Sequence, residues 1–261
     1  MRIKKLLRLI LFEFEDLRLL PGILRDCTTD YLGYLNEASP SIDIIFGHIL
    51  DNVQSYSFRR IIDVGAGSGI PSIKLREYLS AKYEYNVKLH LTDKYPNILS
   101  FQLRSGESVT YSDESVEAGT EFTDTNSFVT FFNSFHHLNE STAEQVIFNA
   151  VKNKHIIGIF EQYNLSYLNI LKLIYEFFEL FIITPKIRPI RFGRFLYTYF
   201  IPLVPLINLW DGIVSCIRVY SKDELMEMVV NNHENYDWDI GTIKVDKEEI
   251  NYLIGVPKGK L

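Results

Sequence analysis

The sequence predicts an α/β fold, a parallel sheet with helices on both faces. Three observations lead there. From residue 59 onward, short apolar runs of strand length alternate with longer amphipathic segments. The first run ends in three alternating glycines, Gly65, Gly67 and Gly69, directly ahead of a helical pattern. The last two runs, 236–245 and 250–257, flank a short charged turn and read as an antiparallel hairpin.

Residues 1–57 read as helical. In SIDIIFGHILDNV, Ile42, Ile45, Phe46, Ile49, Leu50 and Val53 recur at three- and four-residue spacing, with Pro40 and Ser41 as start signals. The opening MRIKKLLRLILFEFEDL has the look of a signal peptide. However, Arg8 interrupts its apolar run, Glu13 ends it, and no small-residue cleavage site follows, so it reads as an amphipathic helix. No charge- and proline-free stretch reaches the about 20 apolar residues of a membrane-spanning helix, so none is expected.

RRIIDVGAG (59–67) reads as a buried strand and IPSIKLREYLS (70–80) as a helix, with Pro71 tolerated in its first turn. VKLHLTDK (87–94) is a second strand, SVTYSDESV (108–116) a weaker third and SFVTFFN (127–133) a fourth. STAEQVIFNAVKN (141–153) carries an apolar stripe of Ala143, Val146, Ile147, Ala150 and Val151, and HIIGIFEQ (155–162) is a fifth strand. Residues 163–211 break the rhythm. A very apolar helix (168–183) and the basic KIRPIRFGR (186–194) precede an uncharged stretch with two prolines (195–210), which together read as an insertion. SKDELMEMVV (221–230) opens with a capping box, Ser221 with Glu224 three residues on. The expected organisation is one domain: an N-terminal helical lid (1–57), a core (58–162 and 212–261) and a helical insertion (163–211).

The net charge of −6 argues against general nucleic-acid binding. Cys27 and Cys216 match no metal spacing and read as buried thiols in a reducing, cytoplasmic compartment.

The glycine loop is the sharpest signal. Glycines after a strand let the backbone turn tightly and approach a ligand, and the following helix offers free N–H groups. A dinucleotide loop would read G-x-G-x-x-G, whereas this one reads G-x-G-x-G with Asp63 ahead of it. An acid there suits a ligand with a positive end. Asp93, at the end of the second strand, is a carboxylate able to accept both hydroxyls of a ribose.

Asp63-Val64-Gly65-Ala66-Gly67-Ser68-Gly69, followed by Asp93, resembles the class I S-adenosylmethionine-dependent methyltransferases. The resemblance spans roughly 58–162 and 212–261. It implies a Rossmann-like, doubly wound seven-stranded sheet with an antiparallel last strand, and S-adenosyl-L-methionine as cofactor. The glycine loop (Gly65, Ala66, Gly67, Gly69) would lie under the methionine part, with Asp63 beside it. Asp93 and its neighbour Lys94 would stand at the ribose, and Glu117 and Ala118 near the adenine, with Asp113 and Asp124 as rivals of Glu117. LFEFEDL, LRDCTTDYL and WDGIVSCIRVYSKDEL also resemble a bacterial group of such enzymes.

FFNSFHHL runs off the fourth strand, at the end of a parallel sheet where ligands bind. Asn133, Ser134 and Phe135 would line the methionine and the transferring methyl. His136 and His137 admit three readings: a metal pair, a structural role, or catalytic contact as a base. No metal is expected, because adjacent histidines usually point apart and no third ligand has an obvious spacing. Glu161, ending the fifth strand, would point at the acceptor. Arg25, Asp26 and Asp30 either close over the cofactor or form a solvated helix face. The expected reaction is methyl transfer to a small apolar or aromatic acceptor, with oxygen preferred over nitrogen or carbon. A non-catalytic cofactor-binding protein, a membrane-peripheral protein, and a protein or nucleic-acid methyltransferase remain as alternatives. Peripheral membrane contact would use 1–20, with Arg2, Lys4, Lys5 and Arg8, and 186–210, with Lys186, Arg188, Arg191 and Arg194.

Overall fold

The computed structural model describes residues 6–8, 10–39, 41–83, 86–122, 126–162, 164–230, 235–245 and 248–259. Seven strands form one sheet: β1 (Arg60–Val64), β2 (Lys88–Thr92), β3 (Val109–Tyr111), β4 (Phe128–Phe132), β5 (Ile156–Glu161), β6 (Tyr236–Val245) and β7 (Glu248–Pro257). Their order is β3-β2-β1-β4-β5-β7-β6. The first five pair in parallel, and β7 enters antiparallel between β5 and β6. This is the seven-stranded arrangement, with its antiparallel strand, that the resemblance to the class I methyltransferases implies.

The helices are α1 (Gly22–Ala38), α2 (Ser41–Val53), α3 (Ile70–Tyr83), α4 (Ile98–Arg104), α5 (Glu140–Lys152), α6 (Tyr167–Ile183), α7 (Phe192–Phe195, continuing as a π turn), α8 (Leu203–Arg218) and α9 (Lys222–Val229). Side chains alternate across a strand, so one run feeds two cores. Ile61, Leu89, Leu91, Phe128 and Phe160 point to one face and pack against Ile45 and Ile49 of α2 and Leu75 and Leu79 of α3. Ile62, Val64, Val129, Phe131, Ile157 and Ile159 point to the other, against α5 and α9. Burying each such side chain contributes about 1.5–3 kcal/mol.

Several boundaries differ from the sequence reading. β3 stops at Tyr111, because its pairing partner β2 ends at Thr92. α4 escapes the sequence pattern, being only seven residues long. Asn97 caps it, accepting the Ser100 N–H at 3.2 Å. The insertion does not end at 211, because α8 runs unbroken to Arg218. The Ser221–Glu224 capping box forms as expected.

A third core ties the lid to the insertion: Leu24, Cys27 and Tyr31 of α1 meet Leu180, Ile183, Val204 and Ile207. A buried ion cluster fastens the same seam. Asp30 accepts from Arg194 and, at 2.7 Å, from Arg191, which also pairs with Asp26 at 3.0 Å. These two arginines are therefore structural and not available to a membrane. Arg8 is likewise committed, held by Glu224 at 3.0 Å and stacked on Tyr220. Arg2, Lys4, Lys5 and Asp124 lie outside the described residues. Among the described residues no single helix is long and apolar enough to cross a membrane. One pair, Phe192–Phe200 with Leu203–Arg218, passes on length and composition but is bent by 80°.

Candidate functional site

A cavity of about 290 Å³ opens at the C-terminal ends of β1, β2 and β4, roofed by α1, α6 and α8. Its floor is the glycine loop. Gly65, Gly67 and Gly69 all take positive φ (69°, 55° and 78°), a region that L side chains rarely adopt. At Gly65 a Cβ would also lie 2.7 Å from Cβ of Ser134, so the crossing of loop and β4 end requires glycine. Gly33, which the sequence reading missed, does the same for the lid, where a Cβ would collide with the Ser68 side chain.

Gly65, Ala66, Gly67, Asp93, Lys94, Glu117, Ala118, Asn133 and Ser134 all face this cavity. Asp93 Oδ2 accepts the Gly67 N–H and Oδ1 the Tyr95 N–H, both at 2.8 Å. Each carboxylate oxygen keeps a second lone pair for a ligand hydroxyl. Lys94 and Glu117 pair at 3.1 Å on the exposed rim. Ser134 Oγ donates to the Val64 carbonyl at 2.9 Å, and Asn133 exchanges hydrogen bonds with Gln162. Arg25 lies 3.8 Å over the Tyr95 ring and donates to the carbonyls of Glu15 and Leu17, so it braces the cavity wall.

Other expected residues sit behind this lining. Asp63 is buried beneath the loop and accepts from Thr130 Oγ1 at 2.9 Å. Burial outweighs the Thr130 hydrogen bond and pushes its pKa up to about 7. Asp63 is therefore a buttress of the loop, not a partner for a ligand ammonium. Gly69 faces Leu91. Phe135 is fully buried against Phe131 and Tyr220. Asp113 is exposed and away from the cavity.

Glu161 does not point at an acceptor. It is buried, and Oε1 accepts the N–H groups of Phe135 (2.8 Å) and His136 (3.1 Å), while Oε2 holds His136 Nδ1 at 2.6 Å. This fixes the turn Phe135–His137. His137 Nδ1 is held in turn by Asp16 Oδ1 at 2.8 Å. Clamped by two carboxylates, the imidazoles do not point apart as adjacent histidines usually do. Their centroids lie 4.4 Å apart with planes inclined by 30°.

Both Nε2 atoms turn toward Glu13 Oε2, at 3.7 Å from His136 and 3.5 Å from His137. The donor atoms of Glu13, His136 and His137 all lie within 4.8 Å of one another. Burial disfavours the charged form of His136, but the Glu161 and Glu13 carboxylates outweigh it and push its pKa up to about 10. His137 moves the same way: burial is overcome by Glu13 and Asp16. Glu13 is held low despite burial, by His137, His136 and Arg218. Arg218 bridges Glu13 Oε1 at 3.2 Å and Asp16 Oδ2 at 2.5 Å.

Sequence reasoning missed Glu13, Asp16, Asp211 and Arg218 as site residues. Asp211 accepts the N–H groups of Phe14 and Glu15. Burial, helped by Glu15, pushes Asp211 up to about 8. The usable signal was a lone acid and a lone base in the otherwise uncharged 203–218 stretch.

No protein-family model matches the sequence, and no curated protein matches it. Solved structures do match. A plantazolicin methyltransferase, BpumL, in complex with a monoazolic desmethyl analogue and S-adenosylhomocysteine, aligns with TM-score 0.53 at 9% identity, over 88% of this chain and 86% of that one. An O-methyltransferase family protein from Burkholderia thailandensis aligns with TM-score 0.51 at 12% identity, over 89% of this chain and 59% of that one. A variant of LepI, in complex with S-adenosylhomocysteine and a substrate analogue, aligns with TM-score 0.50 at 11% identity, over 80% of this chain and 46% of that one. This chain thus spans only about half the length of the last two. Strand order, antiparallel β7 and these alignments together give the chain the fold of the class I S-adenosylmethionine-dependent methyltransferases.

Proposed function

We propose that the protein is an S-adenosylmethionine-dependent methyltransferase acting on a small molecule. One observation carries this reading: a loop of three positive-φ glycines and the Asp93 carboxylate share one cavity with a buried, charged cluster at its far wall. The residues fit the cofactor on their own terms. Gly65 leaves room that a side chain would fill, and Asp93 keeps free lone pairs beside the loop.

When bound, S-adenosylmethionine supplies a methyl group on a cationic sulfur. Gly65, Ala66 and Gly67 would underlie its methionine part, Asp93 would take the ribose hydroxyls, and Glu117 with Ala118 would border the base. Ser134 and Asn133 shape the wall where β4 ends. α1, α6 and α8 close the cavity over the acceptor, which limits water and supports an apolar or aromatic molecule. With Glu161 and Glu13 flanking it, His136 holds a proton near neutral pH and is poorly suited to take another. An oxygen acceptor would need that cluster to surrender a proton first, so the preference for oxygen must rest on more than a neutral imidazole.

Calorimetry with S-adenosylhomocysteine and with NAD tests the reading. Binding of the first only is expected, and binding of NAD only would refute it. Transfer of labelled methyl into any product of a cell extract separates an enzyme from a non-catalytic binder.

A second reading concerns location. Phe192 and Phe200 are 90% and 80% exposed, Ile182 is exposed on the same insertion, and so are Lys186 and Arg188. An apolar surface combined with cations suits peripheral contact with an anionic bilayer through 186–210. Co-sedimentation with anionic vesicles, weakened by salt, supports it; no co-sedimentation at any salt rejects it.

A further inference from the structure

We infer that Glu13, His136 and His137 form a binding site for a divalent first-row transition ion of the zinc type, at the acceptor end of the cavity. Four observations carry this.

The donor atoms converge. Glu13 Oε2 faces His137 Nε2 at 3.5 Å and His136 Nε2 at 3.7 Å. These gaps are too long for good hydrogen bonds. They match the separation of two ligands on one ion, since metal bonds of about 2.1 Å in a tetrahedral site place donors about 3.4 Å apart.

The tautomers are also set. Carboxylates at both Nδ1 positions, Glu161 at 2.6 Å and Asp16 at 2.8 Å, hold the Nδ1–H, so an ion that displaces the Nε2 protons meets both Nε2 lone pairs aimed inward. A carboxylate behind each liganding imidazole is the support such sites use.

His136 supplies the third observation. It is 2% exposed, and its Nε2 has no hydrogen-bond partner among the described residues. A buried polar atom left without a partner is costly, and coordination would satisfy it.

Finally, the counter-charges leave the site open. Arg218 engages Glu13 through Oε1, and Ser215 Oγ donates to Oε2 at 3.1 Å, which leaves a lone pair of Oε2 for an ion. Three protein ligands leave a coordination position vacant, as in catalytic sites. All three residues line the cavity shared with Gly65 and Asp93, so that position faces the enclosed space. Two imidazoles and one carboxylate select zinc, iron, cobalt or nickel over magnesium, which prefers an all-oxygen shell.

Binding of the ion stands apart from methyl transfer. Only the use of the open position rests on that reading: it would hold an oxygen or nitrogen donor of the acceptor and ease loss of its proton.

The test uses untagged full-length protein freed of metal by a chelator, then titrated with ZnCl2, CoCl2 and MgCl2. Uptake of one Zn²⁺ per chain is expected, undisturbed by excess Mg²⁺. Co²⁺ should give the visible absorption of a four- or five-coordinate site without a thiolate charge-transfer band. Asp16→Asn should weaken uptake about 10–100-fold, and Glu13→Gln more, with circular dichroism unchanged. Absence of stoichiometric uptake, a thiolate band from Cys27 or Cys216, or affinity unchanged in both variants would overturn the assignment. A parallel titration with S-adenosylhomocysteine keeps the two ideas apart: its binding without Zn²⁺ uptake removes only the metal site, and the reverse removes only the cofactor reading.

Discussion

The two ends of the cavity are built by opposite means. The glycine-loop end is made of backbone. Its shape comes from three positive-φ glycines in one continuous stretch, and its acid, Asp93, grips two N–H groups. The histidine end is made of side chains. Glu13 and Asp16 come from the short turn ahead of α1, His136 and His137 from the end of β4, Glu161 from β5, and Asp211 and Arg218 from α8. Backbone geometry tolerates no side chain but carries little charge. The cluster concentrates charge in a buried place and holds it only because each group is paired.

That contrast can be broken, and the largest effect belongs to the charged end. Glu161→Ala strips buried His136 of its Nδ1 partner and strands two N–H groups. It should destabilise the fold by about 3–5 kcal/mol, read from urea unfolding. A loss near zero would mean the cluster is not paired as described.

Gly65→Ala should follow. Strain at its φ costs about 1–3 kcal/mol, and contact with Ser134 adds to it, so affinity for S-adenosylhomocysteine should fall strongly in calorimetry.

The pH dependence of stability probes the acid beneath the loop. The folded pKa of Asp63, about 7, lies above its ordinary value of 3.8, so between these the folded state holds the proton more tightly than the unfolded one. Its contribution is fully present below pH 3.8 and is lost as pH rises through about 7. Asp63→Asn should therefore raise the melting temperature more at pH 8 than at pH 5. An equal shift at both pH values would show that the carboxyl is not held protonated.

The smallest effect is expected on the rim. Lys94 and Glu117 form an exposed pair, and Lys94→Ala should change stability by about 0–1 kcal/mol in the same unfolding assay.

Of the candidate site, the glycine end was legible because its signal is local. Glycines at alternate positions after an apolar strand leave few backbone solutions, and Asp93 follows at the end of the next strand. Even there, Asp63 read wrongly: its type was visible, but whether it faces the cavity or lies beneath it depends on its burial and on Thr130 of β4. Adjacency misled at the histidines. Side chains one residue apart diverge by default, and only Glu161 and Asp16, brought from β5 and the N-terminal segment, turn both rings the same way. The basic insertion was also misread in part, because Arg191 and Arg194 are consumed by Asp26 and Asp30.

The sequence alone determined the short core strands, the terminal hairpin, the helices of regular period and the glycine cradle, because each follows from spacing within a few neighbouring residues. Tertiary structure alone decided where the charges meet. Glu13, Asp16, Glu161 and Arg218 acquire their roles through pairings far apart in the chain, and electrostatic pairing leaves no periodic trace in sequence.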